Sequence, residues 1–254
     1  MTSSYGQFCP ISMAAEVVCT RWTVLVIREL LCGSTRFNDL RRGVPRMSPT
    51  LLSKRLKELE LLGVIRVEPT AQPGISDYVL TEAGEALRPL VMGLGTWGYR
   101  WMESTLSLRN LDPTLLMWDM HRRIDARPFP AGRSTIQFVY PELPESHRDY
   151  WLVIEDGTPE VCWVDPGYEI DLWVRCPLST MTAVWMGYST LRAEIAAGTI
   201  EVDGNPALAR SMPVWLGLSV FAKPLDPDGM DEARNPRRRG PAAGPAAAAG
   251  PAGR

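Results

Sequence analysis

Seven cations, Arg36, Arg41, Arg42, Arg46, Lys54, Arg55 and Lys57, crowd into one stretch of the chain against a single acid, Asp39. The chemistry open to such a cluster is the grip of a polyanion, in which guanidinium and ammonium groups pair with phosphate oxygens. Ser48, Thr50 and Ser53 lie among them, short polar side chains of the size that reaches base edges in a groove. The 254-residue chain as a whole carries a formal charge of −2, so the positive charge is local. Residues 1–110 hold 13 basic and 10 acidic side chains, and residues 111–229 hold 9 and 17. From residue 230 onwards the balance is again basic, 5 against 2. This asymmetry predicts two modules with different partners, the first of them meeting a polyanion.

Other chemistries find less support. His121 and His147 are the two histidines, and Asp165, Asp171 and His147 make no recognisable triad. Asp165-Pro166-Gly167 reads as a turn. Neither a phosphate-binding loop nor a dinucleotide fingerprint occurs. Five cysteines, Cys9, Cys19, Cys32, Cys162 and Cys176, show no CxxC or Cys/His ligand spacing. The expectation is a non-enzyme with no cofactor and no metal. Without a signal peptide or an apolar run near 18 residues, it is expected to be reduced, cytoplasmic and not inserted in a membrane.

The elements that must position the cations follow from local signals. Residues 11–32 read as one or two helices, with Trp22, Leu25, Val26, Glu29 and Leu30 at helical spacing and Gly33 as a stop. A short helix over TRFNDLRRG closes at Gly43 and Pro45. Ser48 before Pro49 is a cap and first-position pair, and Leu52, Leu56 and Leu59 form the buried stripe of a helix running to Leu62. That leaves Ser48, Thr50, Ser53, Lys54 and Lys57 outward. VIRVEP and SDYVLT around a Pro/Gly turn predict a hairpin whose tip is Gln72-Pro73-Gly74. Thr81 opens a further helix through about residue 104, where Gly93, Gly95 and Gly98 make packing against a partner surface necessary. This order is that of a winged helix-turn-helix. Arg36, Arg41, Arg42 and Arg46 are then placed on backbone phosphates, and Gln72 on a flanking groove.

From residue 111 the character changes. A helix over DPTLLMWDMHRRID precedes the strands STIQFVY, DYWLVIE, PEVCWVD and YEIDLWVR. Helices near 178–188 and 189–197, the strand TIEVDG and the helix NPALARSMPVWLGL follow. The expected division is 1–110, 111–225 and a Pro/Gly/Ala/Arg-rich tail, 226–254, whose composition predicts disorder. Tryptophan and methionine are abundant in the second module, which suits either an adaptable apolar pocket or simply a filled core.

Two resemblances sharpen these expectations. Cys9-Pro10, Trp22 with its apolar run, Arg28-Glu29-Leu30, Phe37 with Leu40, Ser48-Pro49, Leu51-Leu52, Arg55-Leu56, Leu59, Gly63 and Tyr78 with Leu80-Thr81 resemble an HxlR-type winged-helix regulator, related to the MarR group. The family's usual Gly-Gly-Lys turn is Cys19-Thr20-Arg21 here, and a Lys common early in the recognition helix is Thr50, so its base preference does not carry over. The resemblance implies double-stranded DNA as partner, repression rather than activation, and a homodimer formed by the N-terminal helix and the one after the wing. An inverted-repeat operator would present successive major grooves roughly 34 Å apart. It also brings forward Cys9, since some members sense oxidants at this Cys-Pro position; a small inert thiol is the alternative.

Strand-DPG-strand, Trp185-Met186-Gly187, Ala197-Gly198-Thr199-Ile200 and the helix ending in Trp215 resemble a sterol-carrier-protein type 2-like domain. The fold implied is α+β overall, with a mixed sheet and an apolar cavity in the second module. Trp118, Phe138, Trp163, Trp173, Met181, Trp185 and Trp215 are the candidates to line it, for a hydrophobic small-molecule or lipid effector. The rival reading is a lipid or acyl-ligand carrier whose winged part mainly dimerises.

Overall fold

The computed structural model describes residues 4–72, 74–102 and 108–222. The N-terminal apolar stretch forms two helices, α1 (Pro10–Val18) and α2 (Thr23–Leu31), bent by 82° at the break between them. Trp22 causes the break: its backbone sits at φ 76°, left-handed for a residue with a side chain. Its ring packs partly on the core and under the Arg21 guanidinium at 5.4 Å, contacts that offset the local strain. Leu25 does not join the buried stripe and is exposed, whereas Glu29 is fully buried.

Next come α3 (Phe37–Gly43) and α4 (Pro49–Leu61). Ser48 caps α4 by accepting a hydrogen bond from the Leu51 amide at 3.3 Å, Pro49 supplies the fixed first φ, and Leu52, Leu56 and Leu59 are buried. The hairpin is β1 (Ile65–Pro69) with β2 (Ser76–Leu80), antiparallel in the register Ile65↔Leu80 to Pro69↔Ser76. It is tied back to the loop before α3, where the Tyr78 amide donates to the Thr35 carbonyl at 2.8 Å.

The single helix expected after Thr81 is instead two, α5 (Glu82–Glu85) and α6 (Arg88–Trp101). Pro89 explains the interruption: without an N–H it cannot bond back into the preceding turn, and it is accommodated only in a new helix's first turn. The end of the expected helix, at residues 103 and 104, lies outside the described residues, as does Pro73 at the wing tip.

The second half opens with α7 (Pro113–His121), capped by Asp112, whose Oδ1 accepts from the Leu115 amide at 3.1 Å. Strands β3 (Arg133–Val139), β4 (Asp149–Glu155), β5 (Thr158–Cys162), β6 (Leu172–Arg175) and β7 (Glu201–Gly204) form one mixed sheet in the order β5-β4-β3-β6-β7. Only β3 and β6 are parallel, which requires a crossover. Between β6 and β7 lie α8 (Leu178–Trp185) and α9 (Leu191–Ala196), and α10 (Pro206–Trp215) follows β7. The strand expected over 168–175 is shorter, because Asp171 turns inward: its Oδ2 accepts from the Thr135 amide at 2.8 Å, and its carbonyl accepts from Asn205. Gly204 fits there at φ 118° because a Cβ would stand 2.4 Å from that same carbonyl. Helices α7, α8 and α10 bury their apolar faces on one side of the sheet, against Ile136, Phe138, Leu152, Ile154, Leu172 and Val174. Residues 226–254 lie outside the described residues.

Candidate nucleic-acid interface

Helix α4 presents the expected outward set. Ser48, Thr50, Lys54 and Lys57 are exposed and Ser53 half-buried, opposite the three buried leucines. The two lysines have no ion-pair partner among the described residues, so their charges stand free toward solvent. Arg55 turns the other way: its side chain is only 12% exposed, paired with Glu58 and donating to the Arg21 carbonyl at 3.2 Å. It holds the α1–α2 turn against α4 and adds no outward charge.

The four arginines before α4 divide. Arg41 is exposed, with no ion pair among the described residues. Arg36 reaches the wing, with Nε 3.0 Å from Asp77 Oδ1. Gln72, at the wing tip, is exposed and lines with Arg36, Arg42 and Tyr78 an open cleft of about 580 Å³ between α3 and the hairpin. Arg42 and Arg46 face the second half. Arg46 donates to the Leu111 carbonyl at 3.3 Å and lies 3.6 Å from Asp112. Arg42 pairs with Asp39 at 2.8 Å, and its guanidinium lies 5.2 Å from the Trp118 ring centroid and 5.8 Å from that of Trp163. The free outward cations are thus Arg41, Lys54 and Lys57, fewer than the seven counted along the chain.

A capped helix with an apolar inner stripe and two unpaired lysines outward, followed by a two-stranded wing, is a geometry that several families share. Comparison with known proteins separates them. The family model described as HxlR-like helix-turn-helix matches residues 17–106. The uncharacterized HTH-type transcriptional regulator YvaP of Bacillus subtilis is 34% identical over 100 residues, which cover 39% of this chain and 93% of the relative. The chain belongs to the HxlR-like helix-turn-helix family of transcription regulators. An uncharacterized HTH-type regulator of Synechocystis is 33% identical over 100 residues, covering 39% of this chain and 73% of its own. One from Mycobacterium tuberculosis is 43% identical over 91 residues, 35% of this chain and 56% of that relative. Among solved structures, the reduced form of the redox regulator HypR aligns at 29% identity with a TM-score of 0.34, over 40% of this chain and 95% of that one.

This HxlR-like unit carries a site that its residue types alone did not announce. Glu29 of α2 is fully buried and accepts from Arg28 Nη2 at 2.6 Å and Nε at 3.0 Å. Its other oxygen accepts from Trp118 Nε1 at 3.2 Å and from Arg122 Nη2. The same Arg122 nitrogen reaches Ser34 Oγ at 2.9 Å. Burial alone would raise the Glu29 carboxyl, but Arg28 and Arg122 outweigh it, and the group is held below the ordinary carboxylate range. Gly43 closes the far side, where a Cβ would come within 1.8 Å of the Glu29 carboxylate. The His121 ring lies tilted at 35° against Trp118 with centroids 4.2 Å apart, and burial depresses it to about 4 against a hydrogen bond to the Trp118 carbonyl. An acid inside the apolar run of α2 was the available signal for this hub.

The second half's candidates do not all converge. Phe138, Met181, Trp185, Trp215 and Trp118 belong to one buried core, with Trp163 half-buried against it and edge-on to Tyr150 at 5.6 Å. Trp173 is separate, 41% exposed on the opposite face of the sheet. Strand alternation forces this, since Leu172 and Val174 on either side of it point into the core. Cys9 is half-buried at the start of α1, with its carbonyl accepting from Ser12 Oγ at 2.7 Å and from the Met13 amide.

Proposed function

We propose that this HxlR-like regulator binds operator DNA as a homodimer, with α4 in the major groove, and represses transcription. The observation that carries the reading is α4 itself: a helix whose start is fixed by Ser48-Pro49, whose inner face is committed to leucine, and whose outer face holds Ser48, Thr50, Ser53, Lys54 and Lys57. Its first-turn amides favour a phosphate, while the side chains reach base edges. Arg41 and the wing residue Gln72 supply backbone and flanking contacts. Dimerisation is supported by α1, a nine-residue helix with no buried residue of its own. Phe8 and Ile11 are 97% and 79% exposed, and α6 exposes Leu94 and Trp97. A helix this short is marginal in water without tertiary packing, so a second copy is the natural cover. The second half, in this reading, is a sterol-carrier-like domain that binds a hydrophobic effector by opening its Trp/Met core, and such a ligand acts by binding two DNA-affinity states unequally.

The test is salt-dependent binding to duplex DNA by fluorescence anisotropy. Lys54→Ala and Lys57→Ala should each weaken binding and lower the slope of log K against log salt by about 0.9, the contribution of one phosphate contact. Unchanged slopes for both would remove α4 from the interface. Sedimentation of Ile11→Asp should show monomer where the native chain shows dimer, and native mass spectrometry of the purified protein would reveal a retained apolar ligand.

A further inference from the structure

Two of the arginines in the basic stretch are engaged by the second half. Arg42 borders the cleft it shares with Arg36 and Gln72, but its guanidinium lies against three groups at once, two of them in the second half. Asp39 pairs with it at 2.8 Å, Trp118 of α7 lies at 5.2 Å, and Trp163, just past β5, at 5.8 Å. Trp118 is itself fixed, donating to buried Glu29 and packed against the tilted His121 ring, and Trp163 is braced edge-on against Tyr150. Arg46 is tethered beside it to Leu111 and Asp112. These are contacts between the DNA-binding unit and the following half, and they fall on side chains whose sequence position otherwise marks them for phosphate. A cation over an aromatic face is attracted by the ring quadrupole and is partly shielded from other anions there.

We infer that Trp118 and Trp163 are positioning residues for DNA binding, holding Arg42 off the phosphate backbone so that the second half sets how many cations the helix-turn-helix unit presents. The inference rests on the DNA-binding reading above. It makes the junction between the two halves an affinity control: loosening the aromatic grip adds a phosphate contact without altering α4. A ligand or partner that displaced Trp163 would act through the same step.

The experiment measures anisotropy on a mixed-sequence 30-base-pair duplex across a salt series, because phosphate contacts are independent of sequence. Trp163→Leu keeps apolar bulk and removes the ring; it should bind about two- to fivefold tighter, with a slope steeper by about 0.9. Arg42→Ala in the otherwise native chain should leave affinity and slope unchanged, and combined with Trp163→Leu it should cancel the gain. The Arg42→Ala arm stands even if Trp163→Leu folds poorly, since Arg42 is outside both cores. A weaker, shallower salt response from Arg42→Ala alone would overturn the inference by making Arg42 a phosphate contact already. So would a folded Trp163→Leu protein with native affinity and slope. Loss of the effects expected for Lys54→Ala and Lys57→Ala would instead refute the DNA-binding reading, separately from the clamp.

Discussion

Replacing Glu29 with glutamine changes almost no volume, so its cost isolates the charge at the centre of the hub. The native carboxylate is fully buried and accepts hydrogen bonds from Arg28, Arg122 and Trp118. An amide can offer only one oxygen, and its NH2 must then point at a donor on one side or the other. Arg122, whose side chain is 14% exposed, would lose its hydrogen-bonded counter-charge and keep only Asp119 at 3.6 Å, on the nitrogen that already lacks a hydrogen-bond partner among the described residues. Removing one member of a buried ion pair costs about 3–5 kcal/mol, because the remaining charge stays desolvated. A domain's whole stability is about 5–15 kcal/mol, so Glu29→Gln should lower the urea midpoint severely. Glu85→Gln is the control: its pair with Arg88 is half exposed on both sides, and its loss should cost less than about 1 kcal/mol. Urea unfolding followed by circular dichroism gives both numbers. A Glu29→Gln loss no larger than that of Glu85→Gln would refute the argument, since it would mean water reaches Arg122 as readily as it reaches Arg88.

Three other outcomes follow from the same contacts. His121 is depressed from its ordinary 6.5 to about 4 by burial, so the unfolded chain binds the extra proton first; stability is complete above pH 6.5 and falls between pH 6.5 and 4, by at most about 3 kcal/mol. Urea midpoints across that range should decline, and His121→Phe should flatten the decline. Gly43→Ala should destabilise by about 1–3 kcal/mol, because its Cβ would collide with a Glu29 carboxylate that cannot yield, and differential scanning calorimetry would register the drop. Ser48→Ala removes the α4 cap and should cost about 1 kcal/mol by urea titration, while weakening binding to duplex DNA.

What could be read along the chain was what is decided locally. The Ser48-Pro49 start, the Leu52, Leu56 and Leu59 stripe and the two strands of the wing each follow from signals within a few residues, and each stands where its chemistry placed it. Pro89 and the alternation around Trp173 were equally local signals, and they account for the divided helix and the outward tryptophan. The long-range pairings had no such signature. Arg28 stands beside Glu29, but nothing near Glu29 announces that its second counter-charge is Arg122, and nothing near Arg42 announces two tryptophans from α7 and the end of β5. A count of cations along a chain records how many exist; only packing decides which ones are already engaged.

The second half touches the first in more than one place. Besides α3, it reaches α6: Tyr99 donates to the Met186 carbonyl at 3.0 Å and stacks on Tyr188, and the Phe221 ring occupies the space a Cβ on Gly95 would need, 2.2 Å away. With the Glu29 hub on α2, these contacts hold the second half to three helices of the first at once, α2, α3 and α6. A body held at three separate places cannot tilt without moving at least one of them. A displacement of the sheet must therefore be felt in α2, α3 or α6, the frame on which α4 is mounted.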